Sequence, residues 1–291
     1  VPRAGEYRDV SSRLGELAQH LETTHELAGV IGAMRGIAAA RSHEAQQRLE
    51  GVRAYASTLG EAIGKGLGLL DELDRPATPK NGAQAHLLLV LCAEQGFVGT
   101  FNDRLVDAAA DGLQRLPGDL LVVGARGQVS TADRGLKPVW SAPMAVHPDE
   151  AQALAGRIAE ALYTRLDPKR VTRVSLVHGM PRQAGKQAIV TRSLLPFDYS
   201  RFPVEPGERS PRTHLERGQL VLQLAEEYVY AELCEALMLS CAAENEARMH
   251  AMITAQDNIS RRQDELHAQF SRVRQDEITD EIMELSSQRL F

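Results

Sequence analysis

Cysteine is scarce here: three residues in a chain of 291, too few for a disulfide framework and in keeping with a reducing compartment. Aromatic residues make up only 4%, little for a compact globular core, whereas much Ala, Leu and Glu suits long helices. No apolar run reaches the roughly 18 residues that a membrane-crossing helix needs. No charged, apolar and small-residue leader pattern opens the chain. A net charge of -6 argues against nucleic acid as a main partner. What remains, 43% hydrophobic and 25% charged, is ordinary for a water-soluble fold, with room for one large domain or two smaller ones.

Proline is missing from two long stretches, between Pro2 and Pro76 and after Pro211. Residues 10–70 therefore read as one uninterrupted helix. Leu17, Thr24, Ile31, Ala38, Ala45, Val52 and Leu59 recur every seventh residue, as do Leu49, Ala56, Ile63 and Leu70. A seven-residue apolar repeat keeps one helix face on a partner helix. The glycines Gly64, Gly66 and Gly68 suggest fraying near its end. Residues 212–286 repeat the pattern, with Met252, Ile259, Leu266 and Val273 on the seam and Gly218 as their only glycine. A compact bundle of shorter helices would need Pro or Gly turns every few helical turns, and this second stretch has a single glycine near its start. Two heptad helices at opposite ends of one chain predict an antiparallel coiled coil, each covering the other's stripe. Facing the Ala38-Ala39-Ala40 cluster with Ala242-Ala243 sets a register in which Met34 lies near Arg248. In that register the last 15 or so residues, at about 1.5 Å each, project beyond the paired region.

The middle of the chain changes character. His86 to Cys92 and Leu120 to Val123 read as buried strands, as do Val171–Val177 and Ala188–Leu195. Helices are expected over 101–116 and, starting at Pro148-Asp149-Glu150, over 148–166. This alternation predicts an α/β domain with a largely parallel sheet, and residues 199–211 read as a linker. The expected division is 1–75 for the first coiled-coil helix, 80–200 for the α/β domain and 210–291 for the second helix.

An α/β domain raises the question of a nucleotide site, and the residues do not supply one. Glu94-Gln95-Gly96-Phe97-Val98-Gly99 follows a strand but lacks the glycine spacing of a dinucleotide turn. Five residues separate Gly179 from Gly185 where a phosphate loop has four, Gln187 stands where a hydroxyl would hold magnesium, and a strand follows instead of a helix. That segment reads as a hairpin turn. The histidines show no metal spacing, and Cys234 and Cys241 read as buried small residues. No nucleophile elbow occurs, and the acidic pairs on the helices read as solvated faces. No catalytic residue, metal site or cofactor is expected.

The second helix carries a more specific signature: Ser240-Cys241-Ala242-Ala243-Glu244-Asn245-Glu246-Ala247-Arg248-Met249-His250-Ala251-Met252, followed by Arg274-Gln275-Asp276-Glu277-Ile278-Thr279-Asp280-Glu281. It resembles the gamma subunits of F-type ATP synthases, whose last helix reads S-x-x-S-E-x-x-A-R-M-x-A-M and then R-Q-x-x-I-T-x-E. Ala33-Met34-Arg35-Gly36-Ile37-Ala38-Ala39-Ala40-Arg41 is similar to that family's A-M-x-M-V-A-A-A-K, and Gly96-Phe97-Val98-Gly99-Thr100-Phe101-Asn102 to its G-L-C-G-G-F-N. These segments occur in the family's order across nearly the whole chain. Departures mark a divergent member, of the main or of a second, specialised rotary ATPase: Glu94-Gln95 replaces D-R, and the start of the first helix is nearly neutral instead of basic.

The resemblance implies a shaft of two antiparallel helices and a Rossmann-like foot. It implies a non-catalytic rotor coupling ion flow through a membrane c-ring to ATP synthesis or hydrolysis at a ring of alpha and beta subunits, with epsilon as a further partner. It implies a peripheral location on the inner face of an energy-transducing membrane, the bacterial plasma membrane foremost. Met34, Arg248, Arg274, Gln275 and Thr279 are then expected to meet the beta subunit, and Leu285, Leu290 and Phe291 an apical bearing. The seam is assigned to Leu17, Ile31, Ala38, Ala45, Val52, Met252, Ile259, Leu266 and Val273. The alternative is a stand-alone α/β module that binds a small ligand and carries coiled-coil arms.

Overall fold

The computed structural model describes residues 4–71, 85–166, 173–183, 186–204 and 213–288. The elements run α1 (Ala4–Gly68), β1 (His86–Leu91), α2 (Phe101–Arg115), β2 (Asp119–Val123), α3 (Ala125–Asp133), β3 (Trp140–Ala142), α4 (Ala151–Tyr163), β4 (Arg173–Gln183), β5 (Lys186–Leu195) and α5 (Arg217–Gln288). A 3-10 turn at Pro148–Glu150 leads into α4. Residues 1–37 with 249–291 make one compact unit and residues 38–248 a second. Both α1 and α5 contribute to each unit.

In the first unit, the α1 positions Leu17 and Ile31 are half-buried, as are Ile259 and Val273 of α5. Met252 and Leu266 are buried outright. From Arg274 onward every described side chain except Glu277 is exposed.

The second unit holds a five-stranded sheet in the order β3-β2-β1-β4-β5. β1 pairs in parallel with β2 and with β4, β2 pairs in parallel with β3, and only β5 runs antiparallel, against β4. The sheet is buried on both faces, which explains the uninterrupted apolar run of β1. Leu87, Leu89, Leu91, Leu121 and Leu176 pack against Leu154 and Ile158 of α4 and Leu233 and Leu237 of α5. Leu88, Val90, Val122 and Val177 pack against Phe101, Leu105 and Val106 of α2 and Ala243 of α5. Each such leucine contributes about 1.5–3 kcal/mol of burial.

Within this unit α1 and α5 lie antiparallel. The Ser42 hydroxyl donates to the Ala242 carbonyl at 3.3 Å, Tyr55 donates to Glu227 at 2.6 Å and Arg217 to the Leu69 carbonyl at 3.0 Å. Ala38 and Ala45 are buried and Val52 half-buried. The two alanine clusters thus stand close to the register read from the sequence.

Three local readings need correction. α3 and β3 were not foreseen, and β4 and β5 are longer than expected. The segment 199–211 is not all linker: Phe202 is buried with Phe197, Ile63, Leu67 and Val221, and Phe197 and Phe202 stack at 5.6 Å. The glycines near the end of α1 do not fray the helix. Gly64 and Gly66 are buried, and a Cβ at Gly64 would sit 2.5 Å from the Pro203 carbonyl oxygen. Their small size admits the neighbouring backbone, a need that helix propensity does not reveal. Gly64→Ala should therefore destabilise the chain by about 1–3 kcal/mol. Gly36→Ala, where the added methyl meets nothing within 4 Å, should stabilise it by up to about 1 kcal/mol. Denaturant titration of both variants checks the opposite signs; equal shifts would remove the close-approach argument.

Candidate partner-binding surfaces

The middle of α5 is covered on all sides. From Ala231 to Arg248 every residue is buried except Glu235 and Glu246, which are half-buried. Sequence reasoning placed the acidic residues of this helix on a solvated face; the structure instead buries Glu232 and Glu244, each against an arginine. Arg201 reaches Glu232 at 3.0 Å and Arg248 reaches Glu244 at 2.6 Å. The pairing arginine of Glu232 lies far away in sequence, so no local pattern could have shown it.

Two further carboxylates of α5 join α1 to the sheet. Glu235 accepts from Arg53 of α1 at 2.9 Å and from Arg192 of β5 at 3.1 Å. Burial works to raise its pKa, but the two guanidinium groups outweigh burial and hold it below the ordinary carboxylate value. Glu246 accepts from Gln46 of α1 at 3.3 Å and from the Arg182 backbone N–H of β4 at 2.7 Å. His178 of β4 is buried near Glu235 and Arg192; burial first, with Arg192 adding to it, pulls its pKa below the ordinary value.

Arg248, which the resemblance assigns to the beta-subunit contact, is engaged within the chain itself. It is 5% exposed, and its guanidinium donates to the carbonyls of Gln95 and Gly96, both at 3.3 Å, and to Asn245 at 2.9 Å. It is an internal strut under the 94–99 turn. On that turn Phe97 is 66% exposed at φ 61, a left-handed conformation that bulky residues rarely adopt. Glu94, which departs from the family pattern, accepts from the Ala125 N–H at 3.0 Å and the Met144 N–H at 2.8 Å. It ties the end of β1 to α3 and to the segment after β3.

The other expected contact residues lie in the first unit. Met34 is half-buried; Arg274, Gln275 and Thr279 are exposed. The Thr279 hydroxyl donates to the Gln275 carbonyl at 2.8 Å. Leu285 is 65% exposed. Leu290 and Phe291 lie outside the described residues. Gly179–Gln183 belongs to β4 and Lys186–Gln187 to β5, with Gln183 pairing Lys186; Ala184 and Gly185 lie outside the described residues. A Cβ at Gly179 would stand 2.6 Å from the Phe101 ring, so this glycine serves packing against α2. Cys234 and Cys241 are buried, and burial pushes the Cys241 thiol up to about 12.

The ATP synthase family profile matches residues 13–287. The chain belongs to the gamma-subunit family of ATP synthases. The ATP synthase gamma chain of Bdellovibrio bacteriovorus is 25% identical, with 94% of this chain and 97% of that one covered. That of Moorella thermoacetica is 27% identical at the same coverage. In structure, a chain of the Euglena gracilis mitochondrial ATP synthase in an OSCP, F1 and c-ring assembly aligns with a TM-score of 0.66 over 96% of this chain and 94% of that one, at 13% identity, which shows a shared fold. As a gamma-family member the chain is a central-stalk, non-catalytic subunit of the F-type ATP synthase, a membrane-associated complex. Among the described residues no helix is long and apolar enough to cross a membrane.

Arg248 generates a test of this gamma-family core. Burial raises the Glu244 pKa above the ordinary carboxylate value, against the opposing pull of Arg248. Arg248→Gln leaves that carboxyl buried without its cation, at a cost of about 3–5 kcal/mol near neutral pH. A carboxyl with a raised folded pKa binds more protons folded than unfolded. Its cost is absent below the unfolded value and grows as pH rises towards the folded one. The deficit of Arg248→Gln relative to the parent should therefore shrink in weakly acidic buffer. Glu244→Gln combined with Arg248→Gln should recover much of it. Denaturant unfolding of all three proteins across pH checks this; a deficit independent of pH and not relieved in the double variant refutes it.

Proposed function

We propose that this chain is the rotating shaft that couples ion flow through a c-ring to ATP synthesis or hydrolysis at a ring of alpha and beta subunits. Epsilon is its further partner at the inner face of a bacterial plasma membrane. The observation that carries the reading is the uncovered end of α5. Ile278, Ile282 and Leu285 follow one another at helical spacing, and with Met283 they are 47–65% exposed. Nothing among the described residues of this chain covers them. An apolar stripe of this kind marks a surface for another protein. Leu285, with Leu290 and Phe291 beyond it, belongs in an apolar bearing at the top of the ring.

Arg274, Gln275 and Thr279 sit on the same exposed stretch and are the proposed contacts to a beta subunit, with Met34 on α1 as a further one. Charge-assisted hydrogen bonds there are worth about 1.5–3 kcal/mol each, enough to favour one rotary position without locking it. A shaft that offers each of three beta subunits a different face changes their nucleotide affinity in turn through differential contact. The α/β foot and the base of the helix pair are the proposed seat for epsilon and the c-ring.

Alanine at both Arg274 and Gln275 should lower ATP turnover of the assembled complex several-fold and leave its subunit composition intact. Turnover and coupling both equal to the parent would make the patch only a solvated face. The chain should also co-purify with ATPase subunits and hydrolyse no ATP alone.

A further inference from the structure

We propose that the cleft between the C-terminal end of α2 and the first residues of β1 and β4 binds a phosphate group. The cleft has a volume of about 350 Å³. The side chains that matter in it are His86, Asp111, Arg115, Arg173, Ser175 and Thr191. Ion pairs engage Arg48, Arg53, Arg134, Arg192, Arg201, Arg248 and Arg262. Among the described residues Arg115 and Arg173 have neither an ion pair nor a side-chain hydrogen bond, yet both line this one cavity. Two guanidinium groups lining one open cavity offer the forked donors that the oxygens of a tetrahedral anion accept.

The floor of the cleft is built. His86 is 4% exposed. Its Nδ1 is 3.1 Å from the Leu116 carbonyl oxygen, an acceptor only, so Nδ1 carries the proton and donates. Nε2 is then an acceptor, and the Ser175 hydroxyl 3.0 Å away donates to it. Burial lowers the His86 pKa and the Arg173 charge adds to the effect, so the ring is neutral and its tautomer fixed. Ser175, 8% exposed, spends its one O–H on His86 and offers an anion no donor, whereas Thr191 brings a hydroxyl from the neighbouring strand. The lining holds no Phe, Tyr or Trp, and its one aromatic ring, His86, is 4% exposed and offers no open face for a base to stack on, which favours a bare phosphate group over a nucleotide. Asp111 is the carboxylate of the lining and opposes an anion there, which gives the proposal a sign to test. It is independent of the rotor reading, since every measurement uses the chain alone.

A phosphate group has two sources, free inorganic phosphate and the headgroup of an anionic lipid. In the first arm the full chain is titrated calorimetrically with inorganic phosphate at constant ionic strength. Saturable binding is expected, weakened at least about tenfold by Arg115→Gln or Arg173→Gln, the loss of one charge-assisted bond. Asp111→Asn should tighten it, and Arg35→Gln, which removes an exposed arginine elsewhere, should leave it unchanged. In the second arm the same proteins are sedimented with phosphatidylglycerol or phosphatidylcholine vesicles. Silence towards free phosphate, with phosphatidylglycerol binding lost in the two cleft variants only, assigns the site to a headgroup and supports it. The proposal is overturned if neither form binds. It is equally overturned if Arg35→Gln weakens binding as much as the cleft variants do, which would be general charge attraction. Circular dichroism of each variant, all at exposed positions, confirms that folding is unchanged.

Discussion

The structure of the second unit depends on one constraint: a stretch of α5 that is covered on every side. An ordinary surface helix buries one stripe and wets the other. Here Leu233, Leu237 and Cys241 face the sheet side of the core, Ala243 and Ala247 reach the α2 side, and Ala242 meets Ser42 of α1. Small residues let three backbones approach one helix. Any polar group placed there must find a partner within the protein, because water cannot reach it. Ser240 donates to the Leu91 carbonyl at 3.2 Å, and Asn245 to the Cys241 carbonyl at 2.9 Å.

The carboxylates follow from the same constraint and give it a mechanical consequence. Glu235 and Glu246 each take one donor from α1 and one from the sheet, so the helix pair and the sheet are held through shared acceptors on α5. An isolated surface ion pair contributes little. A half-buried carboxylate bound to two elements at once resists their sliding past one another, because displacement of either strands a charge in a poorly hydrated place. For a stalk subunit that resistance matters more than net stability: a load applied to the sheet is passed on to the helices instead of being dissipated at the joint.

The long helices and the buried strands were legible because their signals are local and repeated. A heptad over many turns survives individual exceptions such as Thr24, and the apolar run of β1 is too short for a membrane helix and too unbroken for a half-exposed strand. α3 was not legible, because Ala125–Asp133 is short and mostly polar, nor was β3, a strand of three residues. Gly64 misled for a different reason: whether a glycine weakens a helix or admits a neighbour depends on Pro203, which only the fold brings near. The role of Arg248 was likewise hidden, since the carbonyls it holds lie about 150 positions earlier. Arg274, Gln275 and Thr279 stood out only through family resemblance; their exposure alone would mark them as ordinary surface.

The same dependence reaches the surface at Phe97. A non-glycine residue at φ 61 costs about 1–3 kcal/mol and persists only where its surroundings over-determine it. What fixes it is visible in the structure: Arg248 grips the two carbonyls before Phe97, and Asn102 accepts the Ala93 N–H at 2.8 Å on the strand side of the turn. Arg248 in turn is held by Glu244, whose burial follows from the packing of α5. A side chain that is two-thirds exposed is thus oriented by a carboxylate that water barely touches. The strain sits at the surface while the interactions that sustain it lie in the core. Any event that loosened the α5 joint would release the turn as well, so the outward face of this loop reports on the integrity of the helix beneath it.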